Sequence, residues 1–199
     1  MRLVLMRHGE TDWNKMGKIQ GVTDTSLNEN GRKAAIECAE RLINGEYSFA
    51  AVYSSPLKRA FETGKIVAEK FNIPISKKEA LKELCFGKFE GLSWNDVREN
   101  YLSEFEYWNT HRKYAAPPEG ESYFHKSVES IAALKEIVKE NPEDADILIV
   151  SHSATMKAIL CPIKHVDYNN MVEAFPFKNL SEVLLEGEDI EEILNYNEQ

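Results

Sequence analysis

Cysteine is scarce in this sequence, and long apolar runs are missing altogether. The three cysteines, Cys38, Cys85 and Cys161, are odd in number and widely separated, which fits neither a disulfide framework nor a zinc site. We therefore expect a reducing, cytoplasmic location. No apolar run approaches the length of about 20 residues that spans a bilayer. The apolar stretch at 3–6 is far too short for a signal peptide, so we expect no membrane partner.

An excess of basic charge is also lacking. Lys and Arg number 24 against 33 Asp and Glu, and the formal net charge is −9 at pH 7. No basic stripe stands out against this background, so we expect no nucleic-acid partner. If the ligand is an anion, its site must be a local basic cluster. The 199 residues, 43% of them hydrophobic, are enough for one soluble domain with a substantial core, and we assign 1–199 to it.

Short apolar runs alternate with helical patterns along the chain. The runs are nearly all apolar, as strands buried on both faces tend to be, and they predict strands at 3–6, 50–54 and 147–150, with a further one at 73–76. Apolar residues at helical spacing predict helices at 28–43, 56–71, 123–140 and 154–160. In the tail we expect an edge strand or hairpin over 182–187 and 190–196. This alternation predicts an α/β fold.

Two of the predicted strands end in a histidine. The first leads into Arg7-His8-Gly9-Glu10, and the run at 147–150 leads into Ser151-His152-Ser153. In an open α/β sheet, ligands bind in the crevice outside the carboxyl ends of the strands. An active site at this edge of the sheet is therefore the leading hypothesis.

The pattern changes between 92 and 114, where aromatic residues crowd together among charges. The aromatic residues are Trp94, Tyr101, Phe105, Tyr107, Trp108 and Tyr114. Their pattern predicts short helices instead of a sheet strand. The stretch that follows is turn-rich and ends in a helix cap at Ser122. We interpret about 92–121 as a small helical insertion over the active site. Its aromatic residues could cover the pocket or form a dimer contact, so the oligomeric state stays open, with a homodimer one alternative.

Four motifs, in a fixed order, resemble those of a known family. They are Arg7-His8-Gly9-Glu10 with Asn14 and Gly17-x-x-Gln20-Gly21, Ser54-Ser55-Pro56-Leu57-Lys58-Arg59-Ala60, Glu83 with Leu84-Cys85-Phe86-Gly87-Lys88-Phe89-Glu90-Gly91, and Val150-Ser151-His152. In this respect the chain resembles the histidine phosphatase superfamily, also called phosphoglycerate-mutase-like. The resemblance covers most of the chain. It implies a three-layer α/β/α sandwich with a mostly parallel central sheet.

Positive charge is available where phosphoryl transfer would need it. Catalysis of this reaction is mostly positioning and electrostatics around the phosphoryl oxygens. Arg7, Arg59 and His152 could supply the charge, and Asn14 a neutral donor. The helix that begins after His152 adds backbone N–H groups and a partial positive charge, both of which favour an anion. A phosphate site is therefore expected between these elements.

His8 is the candidate nucleophile, attacking phosphorus to form a phosphohistidine. It can do so only when neutral, and Arg7 and Arg59 should lower its pKa. The resemblance implies that its other ring nitrogen is held by a backbone carbonyl. It also places Glu83 at the position of the general acid, which would then serve as base towards water. Two nearby carboxylates, Glu79 and Glu90, are alternatives for that role.

The remaining site residues are assigned by position. Substrate contacts are expected from Asn14, Gln20, Gly21, Ser153 and Ala154. The last two stand where relatives often have two glycines, and Lys157 stands where many have arginine; we give Lys157 no role. As a hypothesis, the leaving-group pocket consists of Trp13, Gln20, Phe86, Trp108 and the basic trio His111, Arg112 and Lys113.

Several reactions fit these residues. The favoured one is hydrolysis of a small-molecule phosphomonoester with no cofactor and no metal. The segment between Glu83 and His152 is shorter than in cofactor-dependent phosphoglycerate mutases, which are the main alternative. The motifs also resemble those of α-ribazole-phosphate phosphatases and broad-specificity phosphatases. A metal-dependent hydrolase is disfavoured because the chain has no His-x-His, His-Glu-x-x-His or Asp-rich loop. A catalytically inactive phosphate-binding module is the remaining alternative.

Overall fold

A mostly parallel sheet forms the centre of the molecule. The computed structural model describes residues 1–45 and 47–197, and its five strands lie in the order β3-β2-β4-β1-β5. All neighbouring strands are parallel except β1 and β5. The strands are β1 (Arg2–Arg7), β2 (Phe49–Ser54), β3 (Ile75–Lys77), β4 (Asp146–Ser151) and β5 (Glu182–Leu185). The helices are α1 (Asp12–Lys15), α2 (Glu29–Ile43), α3 (Lys58–Phe71), α4 (Trp94–Asn100), α5 (Leu102–Thr110), α6 (Tyr123–Glu140), α7 (Ser153–Ile163), α8 (Met171–Ala174) and α9 (Glu188–Asn195), with 3₁₀ turns at Glu79–Leu81 and Gly87–Phe89.

The two sides of β1 explain the three layers. Leu3 and Leu5 belong to a buried cluster that includes residues of α6, α7 and α9, whereas Val4 and Met6 belong to one that includes residues of α2 and α3. Successive side chains of a strand point to opposite faces, so helices cover the sheet on both sides. All four side chains are fully buried, which stabilises the fold by roughly 1.5–3 kcal/mol for each of them. The predicted three-layer α/β/α sandwich is confirmed.

Capping residues explain why the predicted helix bounds hold. The Asn28 side chain accepts from the Gly31 amide at the start of α2, and Ser122 accepts from the His125 amide at the start of α6. Each satisfies one of the amides that a helix start leaves unpaired. The predicted helices at 28–43 and 123–140 are therefore confirmed to within a residue.

Helix α7 runs three residues beyond the predicted end at position 160. Pro162 lies inside its last turn, where proline cannot donate to the carbonyl four residues earlier. That carbonyl belongs to Ala158, and it accepts a hydrogen bond from Ser127 Oγ at 2.7 Å. A side chain of α6 thus replaces the missing backbone donor, so the helix continues.

The prediction for the tail is only half right. The edge strand is confirmed as β5, which pairs with β1 in antiparallel register. The expected strand or hairpin over 190–196 is wrong, because this segment belongs to α9. Acidic residues fill the first turn of α9, which stabilises a helix N-terminus, and Ile193 packs fully buried against the sheet layer.

The insertion is helical, as the aromatic pattern predicts. It contains α4 and α5, and Trp108 of α5 is buried together with Phe86, Phe89 and Tyr123. These side chains belong to a third apolar cluster. Among the described residues, no helix is both long and apolar enough to cross a membrane.

Candidate active site

The two histidines meet at the carboxyl ends of β1 and β4. In the parallel register Arg7 of β1 pairs with Ser151 of β4. The residues that follow them, His8 and His152, are therefore neighbours. The His8 amide donates to the Ser151 carbonyl at 3.0 Å, and the ring centroids of the histidines are 5.1 Å apart. The prediction that the two strands bring both histidines to one edge of the sheet is confirmed, although His152 is fully buried and only His8 is among the residues that line the neighbouring cavity.

A backbone carbonyl fixes the orientation of the His8 ring. Nδ1 lies 2.6 Å from the carbonyl oxygen of Gly9. A carbonyl can only accept, so in the neutral ring Nδ1 carries the proton and Nε2 keeps its lone pair. His8 lines a cavity of about 490 Å³ and is only 2% exposed. The neutral ring is thus held with an unprotonated nitrogen for the substrate.

Burial and nearby cations keep both histidines neutral. Burial, followed by the charges of Arg59 and Arg7, lowers the pKa of His8 well below 6.5. Burial and Arg59 likewise lower the pKa of His152. Nucleophilic attack needs a neutral ring, so the electrostatics here favour the reactive form of His8.

These lowered pKa values predict a loss of stability in acid. In the unfolded chain each histidine takes up a proton below about pH 6.5, whereas in the folded protein it stays neutral to a lower pH. The free energy of unfolding should therefore fall as the pH drops from about 6.5, by up to about 1.4 kcal/mol per pH unit for each histidine. Urea unfolding between about pH 5 and 7 should show a shallower slope for His152→Asn than for the unaltered protein. The same replacement at exposed His125 is the control, and equal slopes would contradict a buried neutral His152.

Arg59 is held by a loop while part of its guanidinium stays unpaired. Its side chain is fully buried; Nη1 donates to the Thr23 carbonyl at 2.8 Å and Nη2 to the Gly21 carbonyl at 2.7 Å. Burial lowers the pKa of Arg59 to about 10, so it stays protonated at neutral pH. A guanidinium has five N–H donors, and Nε has no partner among the described residues. Arg59 can therefore still donate to an oxyanion.

Arg7 is also held by a backbone carbonyl. Its Nη1 donates to the carbonyl of Phe177 at 2.9 Å, and Nε has no partner within residues 1–45 and 47–197. Burial lowers the pKa of Arg7. Two arginines with unpaired donors thus line the cavity together with His8.

Glu90 fastens the loop that holds Arg59. Its carboxylate accepts from the amides of Val22 and Thr23 at 3.0 Å each and from the Phe86 amide at 3.1 Å. Gly21 has a φ of 52°, and a Cβ there would lie 2.0 Å from Glu90 Oε1. Glu90 is therefore occupied by backbone and does not line the cavity, which removes it as the alternative to Glu83.

Of the three carboxylates considered, Glu83 alone lines the cavity. The side chain of Glu79 is 74% exposed and pairs with Lys82. Glu83 is 8% exposed, and its Oε1 accepts from the amides of Leu84 and Thr155 at 3.0 Å each. Its Oε2 has a weaker contact with the Ala154 amide, at 3.3 Å. The carboxylate is thus held by the start of α7, and Oε2 is the less committed oxygen.

This arrangement changes the prediction for the start of α7. We expect its backbone amides to face a bound anion, but those of Ala154 and Thr155 contact Glu83 instead. The positive end of the α7 dipole therefore stabilises the Glu83 carboxylate directly. Ser153 and Ala154 still line the cavity, so both remain in contact range of a substrate.

Two amide side chains line the cavity with their carbonyl oxygens already paired. Asn14 Oδ1 accepts from the Thr11 amide at 3.1 Å, and Gln20 Oε1 accepts from Thr11 Oγ1 at 2.9 Å. Gln20 Oε1 also accepts from Thr25 Oγ1. Because their oxygens are used, the NH₂ groups are the parts left for a ligand. That suits an anionic substrate.

Asn179 contacts the loop that follows β1 and was not predicted. Its Nδ2 lies within hydrogen-bond distance of the His8 carbonyl at 3.0 Å, the Gly9 carbonyl at 3.1 Å and Asn14 Oδ1 at 3.2 Å. The residue lies in an irregular segment between α8 and β5, outside every motif. No spacing or periodicity in the sequence pointed to it.

The leaving-group side of the cavity is partly as predicted. Gln20, Phe86, Trp108 and Arg112 line it. The expected contributions of Trp13, His111 and Lys113 are wrong, because none of them lines the cavity. The His111 ring stacks on Tyr107 at 4.5 Å, Lys113 lies over Tyr114, and Trp13 lies under Lys18 and beside Gly91.

Besides Arg7 and Arg59, four basic side chains line the cavity, and they are Lys18, Arg98, Arg112 and Lys157. Burial lowers the pKa of Lys157, and within the described part of the chain no hydrogen bond or ion pair engages its amine. The Arg112 guanidinium lies 5.3 Å from the Trp108 ring centroid. Both positive groups line the cavity, so an acidic protein contains a distinctly basic pocket.

Among residues 1–45 and 47–197, no group of three or more His, Cys, Asp and Glu side chains could hold a metal ion. A model of the histidine phosphatase superfamily (branch 1) matches residues 3–198.

Proteins named as phosphatases and mutases are similar to most of this chain. A metal-independent phosphoserine phosphatase of Arabidopsis thaliana is 36% identical over 79% of this chain and 66% of its own length. A phosphoglycerate mutase of Schizosaccharomyces pombe is 32% identical over 86% of this chain and 83% of its own. The phosphoserine phosphatase of Entamoeba histolytica, solved with 3-phosphoglyceric acid, gives a TM-score of 0.80 at 28% identity, covering 93% of this chain and 90% of that one. The chain therefore belongs to the histidine phosphatase superfamily, a family of phosphatases and phosphoglycerate mutases, and is an enzyme of that type.

Proposed function

We propose that the protein hydrolyses small-molecule phosphomonoesters through a covalent phosphohistidine on His8. The observation that carries this proposal is the Nδ1 contact with the Gly9 carbonyl, which leaves Nε2 unprotonated beside two cavity-lining arginines. Nε2 attacks phosphorus, the bond from phosphorus to the ester oxygen breaks, and Glu83, which enters this step protonated, gives its proton to the leaving oxygen. Water then attacks the phosphohistidine and gives its proton to Glu83, so that phosphate leaves and His8 is regenerated.

Charge stabilisation in this proposal comes from the chain itself. Arg7 and Arg59 have unpaired Nε–H groups, and a guanidinium can give parallel hydrogen bonds to phosphoryl oxygens. A metal ion usually supplies that charge in other phosphoryl-transfer enzymes. The Arabidopsis relative carries the description metal-independent, which supports the same property here.

The leaving group in our proposal carries a second anionic group. Lys157 and Arg112 line the cavity, and Glu83 is the one carboxylate among the lining residues. Phosphoserine and phosphoglycerate, named for the relatives, each have a carboxylate close to the phosphate ester. A small phosphorylated acid therefore fits both ends of the pocket. The resemblance to α-ribazole-phosphate phosphatases and the cytoplasmic location stay predictions.

A panel of phosphomonoesters tests the proposed reaction. The purified protein, with excess chelator, should release phosphate from 3-phosphoglycerate, phosphoserine, sugar phosphates, nucleotides or α-ribazole phosphate. Transfer of the phosphoryl group between 2- and 3-phosphoglycerate, faster than its release, would favour a mutase. Phosphate binding without any turnover would favour the inactive binding module, and activity lost in chelator would contradict metal independence.

Removing the positive charges of Lys157 and Arg112 should change substrate preference more than it changes turnover of a substrate that has no second anionic group. We expect the double variant Lys157→Met, Arg112→Met to lower kcat/KM for phosphoserine or 3-phosphoglycerate by about 10–100-fold, since charge-assisted hydrogen bonds contribute roughly 1.5–3 kcal/mol. For p-nitrophenyl phosphate, which has no second anion, the change should stay below about threefold. Lys33→Met, on exposed α2, is the control. Equal losses on both substrates would refute an anion-binding role.

A further inference from the structure

Ser55 connects β2 to the partner histidine and is so far without a role. It is fully buried, and its amide donates to the Val150 carbonyl at 3.0 Å, which fixes it beside the end of β4. Its Oγ lies 2.8 Å from His152 Nε2. The opposite ring nitrogen, Nδ1, is buried with no partner among the described residues.

The positions of the protons follow from counting donors and acceptors. Ser55 Oγ already accepts from the Leu57 amide at 3.3 Å, and within residues 1–45 and 47–197 its own proton has a single acceptor, His152 Nε2. If the hydroxyl donates there, the neutral ring must carry its proton on Nδ1. The reverse arrangement would leave a buried hydroxyl proton and the Nδ1 lone pair both unpaired. Because each unpaired buried group costs free energy, the first arrangement is favoured.

We propose that Ser55 is a positioning residue that fixes His152 in the tautomer with the proton on Nδ1, so that Nδ1–H donates to a phosphoryl oxygen. The proposal rests on the proposed phosphohistidine chemistry. His8 and His152 then have the same tautomer but offer opposite nitrogens: His8 offers a lone pair to phosphorus, and His152 offers an N–H to oxygen. One histidine attacks while its neighbour, 5.1 Å away between ring centroids, stabilises charge.

Nitrogen NMR of the resting protein is the direct test. With side-chain ¹⁵N labelling, the His152 signals, assigned by their loss in His152→Asn, should show protonated Nδ1 and unprotonated Nε2. In Ser55→Ala this preference should disappear, whereas Ser55→Thr, which keeps the hydroxyl, should restore it. Protonated Nε2 in the unaltered protein would overturn the proposal.

A neighbouring serine provides a matched control for function. Ser54 is equally buried, and its Oγ donates to the Ser55 carbonyl without touching His152. We expect Ser55→Ala to weaken binding of inorganic phosphate and to lower kcat by roughly 10–100-fold, since a small misplacement of groups around the reacting atoms can cost on the order of 100-fold, while Ser54→Ala changes both by less than about threefold. An altered tautomer with unchanged phosphate binding would refute the donor role. Absence of turnover in the unaltered protein would instead contradict the proposed function, and the NMR result would stand.

Discussion

Replacing His8 with alanine should remove the covalent intermediate and lower kcat by roughly 10⁴-fold or more, as loss of a nucleophile does in other enzymes. The bond to phosphorus in our proposal is made by Nε2, which the Gly9 carbonyl keeps unprotonated. No other nucleophile among the lining residues occupies an equivalent position beside Arg7 and Arg59. Rapid quenching with labelled substrate should give an acid-labile, base-stable phosphoprotein in the unaltered enzyme and none in the variant.

Two controls make the His8 result specific. His125 is an exposed histidine on α6, so His125→Ala should keep both label and turnover. His8→Asn retains a polar side chain in the same buried place, which separates loss of chemistry from loss of packing. Labelling of His8→Ala at the level of the unaltered protein would disprove the nucleophile assignment.

Changing Arg59 to methionine should produce the second large effect, on activity and stability together. The variant removes a charge beside the phosphoryl group, and loss of one such electrostatic donor typically lowers kcat by about 10²–10³-fold. It also leaves the carbonyls of Gly21 and Thr23 without their donors. We expect the free energy of unfolding to fall by roughly 2–5 kcal/mol, because each unsatisfied buried group costs about 1–3 kcal/mol. Steady-state kinetics and urea unfolding measure the two effects.

Arg59→Lys distinguishes charge from geometry. Lysine keeps the positive charge but lacks the planar fork that reaches two carbonyls and an oxyanion at once. We expect kcat/KM to stay at least about tenfold below that of the unaltered protein. Arg32→Met, which removes an exposed arginine paired with Glu62, is the matched control. Full activity in Arg59→Lys would show that a point charge is sufficient.

Most of the fold could be predicted because its signals are local. The apolar runs of β1 and β4 are buried on both faces, and caps such as Asn28 and Ser122 lie next to the helices that they begin. The end of α7 and the nature of α9 could not be predicted in this way. At the end of α7, Ser127 from another helix contacts the carbonyl that Pro162 leaves without a backbone donor. In α9, a short amphipathic segment fits either a strand or a helix until its packing is known.

The candidate site also contains some residues that local motifs indicate and others that only the tertiary fold brings in. His8, Arg59 and His152 lie within compact motifs, so the sequence indicates them directly. Asn179 and Thr63 contact the loop after β1 only through the tertiary fold. Thr63 Oγ1 accepts a hydrogen bond from the Gly9 amide at 3.0 Å. The errors at His111 and Lys113 have a geometric cause. The α5 helix ends at Thr110, and of the three basic residues after it only Arg112 lines the cavity.

The position of β1 also determines when the enzyme can become active during its own synthesis. His8 is made before β4 and β5, the two strands that flank its own strand in the sheet. The Asn179 side chain that contacts the His8 carbonyl comes 171 positions after it. Contacts of such long sequence separation form slowly and late in folding. A nascent chain that stops short of Asn179 therefore carries the candidate nucleophile without the contacts that position it.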